Sequence, residues 1–193
     1  DALHAYGVAR VFSPEDGARM GLAAMVNTII RESDVDPVAT GPPWSFDALA
    51  AGDTTALARA ITSLELGAVD PSLLDRLRDD GARATVPVLG ITGTGGSGKS
   101  SLTDELVRRF RRDQGDGLRI AVLAVDPTRR RTGGALLGDR IRMNAVEPPT
   151  VFFRSMATRS SAHEVPDHLD DVVAACRCAG FDLVIVETPG IGQ

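Results

Sequence analysis

The stretch that decides the fold is Gly93-Thr94-Gly95-Gly96-Ser97-Gly98-Lys99-Ser100, which matches the pattern G-x-x-x-x-G-K-S/T at every defined position. An apolar run at residues 86–92 precedes it, and residues 100–112 carry leucine, valine and phenylalanine at helical spacing. A strand that leads through a glycine-rich loop into a helix is the context that this motif requires. The sequence therefore predicts a phosphate-binding loop at residues 93–100.

Each residue type in the loop has a physical reason. Glycines let the backbone curl so that successive N–H groups point at phosphate oxygens, and the N-terminus of the following helix adds its positive end. Lys99 supplies a mobile positive charge for the β- and γ-phosphates, and Ser100 offers a hydroxyl to magnesium. The predicted nucleotide contacts from this motif are Gly93, Gly95, Gly96, Ser97, Gly98, Lys99 and Ser100.

The rest of the chain predicts three regions. From residue 86 onward, apolar runs at 118–125, 150–154 and 183–186 alternate with helical patterns, which is typical of an α/β protein with a mainly parallel sheet covered on both faces. Residues 35–85 predict a helical linker, with helices that begin at Asp53 and at Asp70-Pro71. Residues 1–34 predict a strand at 8–12, a turn at 13–17 and a helix that reaches Arg31.

Three acidic residues are candidates for magnesium or for catalysis. Glu187 and Asp126 each follow an apolar strand, so we expect both at the sheet edge where the phosphate loop lies. Asp139 lies in a glycine-rich segment with the composition of a switch loop. Each of the three could instead be a solvated loop residue. Lys99, Asp126 and Glu187 are the predicted catalytic residues, and the sequence does not decide whether Asp126, Glu187 or switch backbone orients the attacking water.

Composition excludes several other classes. The 193 residues carry 21 Lys+Arg against 26 Asp+Glu, a net charge of −5, and Lys99 is the only lysine. An acidic chain without a basic block disfavours a nucleic-acid partner. No apolar run is long enough for a membrane span, no secretory signal is visible, and two cysteines two positions apart form no disulfide framework. We therefore expect a cytoplasmic protein.

The motifs together resemble a known family. The loop at 93–100, Ala124-Val125-Asp126-Pro127, the segment 132–143 and Glu187-Thr188-Pro189-Gly190-Ile191-Gly192-Gln193 are similar to the G-protein chaperones of cobalamin-dependent acyl-CoA mutases, most nearly to those fused to an isobutyryl-CoA mutase. This resemblance implies GTP hydrolysis coupled to loading and protection of adenosylcobalamin on the mutase. It also implies residues 1–34 as the end of a flavodoxin-like cobalamin-binding domain and residues 86–193 as the GTPase domain, cut within its second switch.

The resemblance also implies a ligand set and partners. Nucleotide contacts would come from Gly96 to Ser101 and from Arg142. The partners would be an acyl-CoA mutase domain, a cobalamin-binding domain and a second copy in a homodimer. The implied magnesium ligands are Ser100, Asp126, Asp139, Glu187 and Thr188, with the Val125 carbonyl.

Some features depart from the family or allow other interpretations. The Asn-Lys-x-Asp element that selects guanine and the cobalamin-ligating Asp-x-His-x-x-Gly motif are both missing, so we expect a fragment of a longer protein with His4 as an ordinary helix residue. Helical spacing argues against a metal cluster of His163, His168, Cys176 and Cys178. Residues 129–131 are interpreted as a solvated loop. A small-molecule kinase and a nucleotide-gated interaction module remain as alternatives.

Overall fold

A computed structural model describes residues 2–36, 38–40, 43–126, 143–146, 150–158 and 165–191. The chain divides into two compact units, residues 1–41 and 42–193. The predictions made for Asp139, Arg142, His163 and residues 129–131 fall outside the described residues.

The second unit contains a parallel sheet of four described strands in the order β1-β4-β2-β3. This confirms the α/β fold predicted from the alternating pattern. The strands are β1 (Val88–Thr94), β2 (Ile120–Asp126), β3 (Val151–Ala157) and β4 (Leu183–Ile191). The helices are α3 (Phe46–Ala50), α4 (Thr54–Glu65), α5 (Pro71–Arg83), α6 (Lys99–Asp113) and α7 (Leu169–Cys178).

Both faces of the inner strand β2 are covered, as its continuous apolar run predicts, whereas residues 88–90 of the edge strand β1 are exposed. Alternate residues of a strand point to opposite faces, and the core divides in the same way. Ala121 and Leu123 belong to a cluster with residues of α3, α4, α5 and α7, whereas Ile120 and Val122 belong to a cluster with Val107 of α6. Among the described residues, the sheet is therefore a central layer between one helix on one side and four on the other.

The helices of residues 46–83 share a hydrophobic core with the sheet. The predicted helix starts are confirmed, since Asp53 and Asp70 accept hydrogen bonds from the first backbone N–H groups of α4 and α5. Helix α5 approaches α7 so closely that a Cβ on Gly81 would lie 2.6 Å from the Cβ of Ala174. Beside this contact, Arg78 Nε donates to Asp171 Oδ1 at 2.6 Å.

The first unit contains α1 (Ala2–Ala5) and α2 (Pro14–Ser33), and it corrects two predictions. The strand predicted at 8–12 is wrong, because the described residues of this unit offer no neighbouring strand to pair its backbone groups. The turn predicted at 13–17 is the start of α2. Ser13 and Asp16 form a reciprocal capping box, with Pro14 at the first helical position, so the same residue types start a helix here.

None of the helices in the described part of the chain combines the length and apolar character needed to cross a membrane.

Candidate nucleotide-binding site

The phosphate loop joins β1 to α6 through glycines whose backbone angles favour glycine. Gly96 and Gly98 have φ values of 74° and 88°, in the left-handed region, and Gly98 is the N-cap of α6. The Lys99 ammonium donates to the carbonyl oxygens of Gly93 at 3.1 Å and Thr94 at 3.0 Å. An ammonium has three N–H donors, so this arrangement leaves one for an anion above the loop.

The second part of the site is Glu187, near the carboxyl end of the sheet. Glu187 pairs in register with Ile91 on one side and with Ala124 on the other, and its side chain is buried. Its Oε1 accepts a hydrogen bond from Ser100 Oγ at 2.6 Å, and its Oε2 accepts one from Thr103 Oγ1 at 3.0 Å. The structure thus brings together the acid and the hydroxyl that the sequence singled out separately.

Other predicted residues lie around this centre. Asp126 is the last residue of β2, and its carbonyl oxygen accepts from Thr158 N at 3.2 Å. The Val125 side chain is part of the hydrophobic core. Thr188 Oγ1 donates to the carbonyl oxygen of Ile91 at 3.4 Å. The predicted contacts Asp139 and Arg142 are not among the described residues.

A cleft of about 510 Å³ opens at the phosphate loop. Three lining residues were not singled out from the sequence as site residues, namely Asp104, Glu105 and Asn144; residues 96–101 form the remainder. Hydrogen bonds from Arg109 and Arg108 lower the pKa of Glu105, so this carboxylate at the rim of the cleft stays ionised. Asp104 and Glu105 each lie four residues, about one helical turn, after Ser100 and Ser101, and this spacing is a signal that could have placed them here.

Asn144 belongs to a short segment that α6 holds at two points. Asp104 Oδ1 accepts from Ala145 N at 2.8 Å, and Arg111 Nη1 donates to Ala145 O at 2.9 Å. The Met143 and Ala145 side chains are buried in the core beneath, whereas Asn144 is exposed at the cleft. Both backbone groups of Ala145 are therefore fixed, which holds residues 143–146 against α6.

The segment after Glu187 contacts the phosphate loop directly. Gly190 pairs with Gly93, and a Cβ built on Gly190 would lie 2.7 Å from the backbone nitrogen of Gly95 and 2.9 Å from its Cα. Both atoms belong to the backbone of the loop. Only a glycine at position 190 permits this approach, so the position of the loop depends on that of β4.

The fold and this site define an α/β phosphate-loop nucleotide-binding protein. The sequence model of one family, described as methylmalonyl Co-A mutase-associated GTPase MeaB, matches residues 57–193. The chain belongs to this family.

Relatives give the wider context. The chain is 59% identical over 191 residues to the fused isobutyryl-CoA mutase of Cupriavidus metallidurans, a match that covers 99% of the chain. It is 62% identical over 184 residues to the protein of the same name from Nocardia farcinica, with 95% of the chain covered. In each case the chain spans only 17% of the relative's length. The family resemblance inferred from the motifs is thus confirmed.

A solved structure supports the same fold class. The crystal structure of an LAO/AO transport system kinase matches with a TM-score of 0.51 and 28% sequence identity. The match covers 77% of the chain and 43% of that structure.

Proposed function

We propose that this chain is the GTP-hydrolysing module of a larger protein, and that its nucleotide cycle gates the loading and protection of adenosylcobalamin on an acyl-CoA mutase. The observation that carries the proposal is the contact between Ser100 of the phosphate loop and Glu187 of β4, in a chain of the mutase-associated GTPase family. The fused relatives support a mutase that acts on isobutyryl-CoA as the partner.

The residues at the sheet edge fit a magnesium ion. Magnesium prefers oxygen ligands and is commonly held by one or two protein groups while it keeps several waters. Ser100 Oγ and the buried Glu187 carboxylate provide such oxygens within 2.6 Å of each other, and Asp126 ends the neighbouring strand β2. We propose these three as the group that holds magnesium, with Asp139, Thr188 and the Val125 carbonyl as further ligands. When bound, the ion neutralises negative charge on the β- and γ-phosphates.

The residues of the chain promote hydrolysis by holding the phosphates in position and by offsetting their negative charge. The Lys99 ammonium, already held over the loop by two carbonyl oxygens, turns its remaining donor to a phosphate oxygen. Backbone N–H groups of residues 96–101, with Arg142, hold the phosphates in line. Asp126 and Glu187 are the proposed groups that orient the attacking water. Hydrolysis of the γ-phosphate then frees the glycine segment around Gly190 to change position.

The motif that ligates cobalamin is missing from residues 1–193, so we propose that His4 does not ligate it. His4 Nδ1 lies 2.8 Å from the carbonyl oxygen of Val8 in the same local turn, so its ring is engaged within its own segment. We propose residues 1–34 as the end of a cobalamin-binding domain, 35–85 as a helical linker whose helices α3, α4 and α5 pack on the sheet of the next domain, and 86–193 as the start of the GTPase domain. The complete protein is proposed to be a homodimer with isomerase activity.

The experiment that tests the proposal measures phosphate release from GTP by the full-length protein. We expect magnesium-dependent turnover that changes when adenosylcobalamin is bound to the mutase, and loss of turnover in Lys99→Ala. Arg112→Ala is the matched control, because it removes one cation from the exposed far end of the same helix. A Lys99→Ala protein that releases phosphate as fast as the wild type would refute the GTPase proposal.

A second candidate is phosphoryl transfer to a small molecule, and the structural likeness to a protein named as a kinase favours it. Kinases use the same loop and lysine but pass the γ-phosphoryl group to a substrate hydroxyl. Turnover that produces free phosphate with no added acceptor supports hydrolysis. Turnover that appears only with an acceptor supports the kinase. Tight GTP binding with no turnover under either condition supports the remaining alternative, a nucleotide-gated interaction module.

A further inference from the structure

A buried carboxylate needs partners that fix its orientation. Glu187 is 7% exposed, and removing a charged group from water is costly unless hydrogen bonds compensate. In the described part of the chain, the two hydrogen bonds assigned to its side chain come from hydroxyls of α6, those of Ser100 and Thr103. Ser100 also belongs to the phosphate loop, whereas Thr103 does not line the cleft.

Two acceptors lie within hydrogen-bond distance of the Thr103 hydroxyl. Its side chain is 0% exposed, and Oγ1 lies 3.0 Å from the Lys99 carbonyl oxygen and 3.0 Å from Glu187 Oε2. A hydroxyl carries a single proton, so it cannot donate fully to both. The Lys99 carbonyl lies one turn earlier in α6 and is available to the helix's own N–H groups, whereas the carboxylate is charged and is the stronger acceptor. The proton therefore goes to Glu187.

We infer that Thr103 is a positioning residue, which fixes Oε2 of Glu187 so that Oε1 faces Ser100 and the metal position. The inference rests on the proposed function. A glutamate has several rotatable bonds, and one hydrogen bond at Oε1 leaves the carboxylate free to swing about that point. A second bond at Oε2 fixes the plane of the group. Thr103 thereby prepares the acidic side of the site before the nucleotide arrives.

The test compares two substitutions in the full-length protein. Thr103→Val replaces the hydroxyl by a methyl at nearly constant volume, and Thr103→Ser retains the hydroxyl. The readouts are the Mg²⁺ concentration that gives half-maximal affinity for a non-hydrolysable GTP analogue, the affinity in EDTA, and the melting temperature. We expect Thr103→Val to raise the required Mg²⁺ concentration about 10-fold, because a hydrogen bond to a charged group contributes roughly that factor or more. Thr103→Ser should retain the wild-type Mg²⁺ requirement, and neither substitution should change the affinity for the GTP analogue in EDTA.

A double-mutant cycle separates this role from packing. Glu187→Asp shortens the side chain, so its carboxylate no longer reaches both hydroxyls. If Thr103 acts through Glu187, Thr103→Val should have little further effect on the Mg²⁺ requirement in that background. An undiminished effect would overturn the inference, as would a Thr103→Ser protein as impaired as Thr103→Val.

The failure of the inference can be distinguished from failure of the proposed function. If the GTP affinity of the wild-type protein does not depend on Mg²⁺, and Lys99→Ala does not change that affinity, both the inference and the proposed function are overturned. If Mg²⁺ and Lys99→Ala both change the GTP affinity, but Thr103→Val has the same Mg²⁺ requirement as the wild type, only the positioning role is overturned.

Discussion

Gly190→Ala tests the dependence of the phosphate loop on the end of β4. The added methyl would lie 2.7 Å from Gly95 N and 2.9 Å from Gly95 Cα, where ordinary van der Waals contact begins near 3.4 Å. The two backbones must therefore separate by about 0.7 Å. No flexible side chain is available to move away, because both contacted atoms belong to the loop backbone. The φ angle of Gly190 lies outside the left-handed region, so the penalty is steric only.

The size of the effect follows from this separation. Extra methyl groups in close-packed positions cost about 1–3 kcal/mol. In a domain of this size about 1 kcal/mol lowers the melting temperature by about 2–4 °C, so we expect a decrease of about 2–12 °C. A displacement approaching 1 Å in a catalytic site can lower the rate by about 100-fold, and we expect GTP turnover to fall by about 10- to 100-fold.

Gly90→Ala is the matched control for this substitution. Gly90 lies in β1, the strand paired with β4, and a Cβ there would meet no atom within 4 Å. The same chemical change should therefore leave the melting temperature and the GTP turnover near wild type. The assays are differential scanning calorimetry and phosphate release on the two variants in parallel. The packing argument is refuted if Gly190→Ala matches Gly90→Ala in both measurements.

Three further predictions concern the rest of the molecule. Gly81→Ala should lower the free energy of unfolding by about 1–3 kcal/mol in urea titrations, since its methyl would lie 2.6 Å from the facing alanine of α7; an unchanged midpoint would contradict this. Asp104→Ala should lower the free energy of unfolding by about 1–3 kcal/mol and raise the KM for GTP, because it leaves the backbone N–H of Ala145 without its acceptor. An unchanged free energy of unfolding would contradict a stabilising role of this hydrogen bond. Burial raises the pKa of Cys176 to about 12 and that of Cys178 to about 11, so folded thiols keep protons that unfolded ones lose above pH 9. Stability should therefore be complete below pH 9 and decline toward pH 12, more steeply in the wild type than in a protein with both cysteines replaced by alanine.

The fold could be predicted because its signals are local. The glycine pattern at 93–100 defines a strand–loop–helix unit by itself, and the apolar run of β2 indicates a strand buried on both faces. The prediction for residues 13–17 was wrong because the same residue types occur in turns and at helix starts. Ser13-Pro14 is typical of turns and also of helix starts, and only the reciprocal bond between Ser13 and Asp16 identifies a capping box.

The site could be predicted only in part, since its remaining contacts are distant in sequence. Glu187 and Ser100 were singled out because a strand end and a motif mark them individually. That Thr103 also contacts Glu187 follows from the way α6 packs beside β4, 84 positions away along the chain. Likewise, the contact of Gly190 with Gly95 depends on the register of β1 and β4. No periodicity within one segment reports such a relation.

The single lysine has a structural reason. Some of the described arginines use their planar fork, as Arg78 does with both oxygens of Asp171, or stack on a ring, as Arg119 does 4.6 Å from the centre of Phe181. Lys99 has a different task. Its ammonium lies 3.1 and 3.0 Å from two carbonyl oxygens in the narrow opening of the loop while it keeps a donor for an anion. A compact charge with three donors can satisfy both demands, whereas a guanidinium with the same partners would extend its plane into the space the phosphates need.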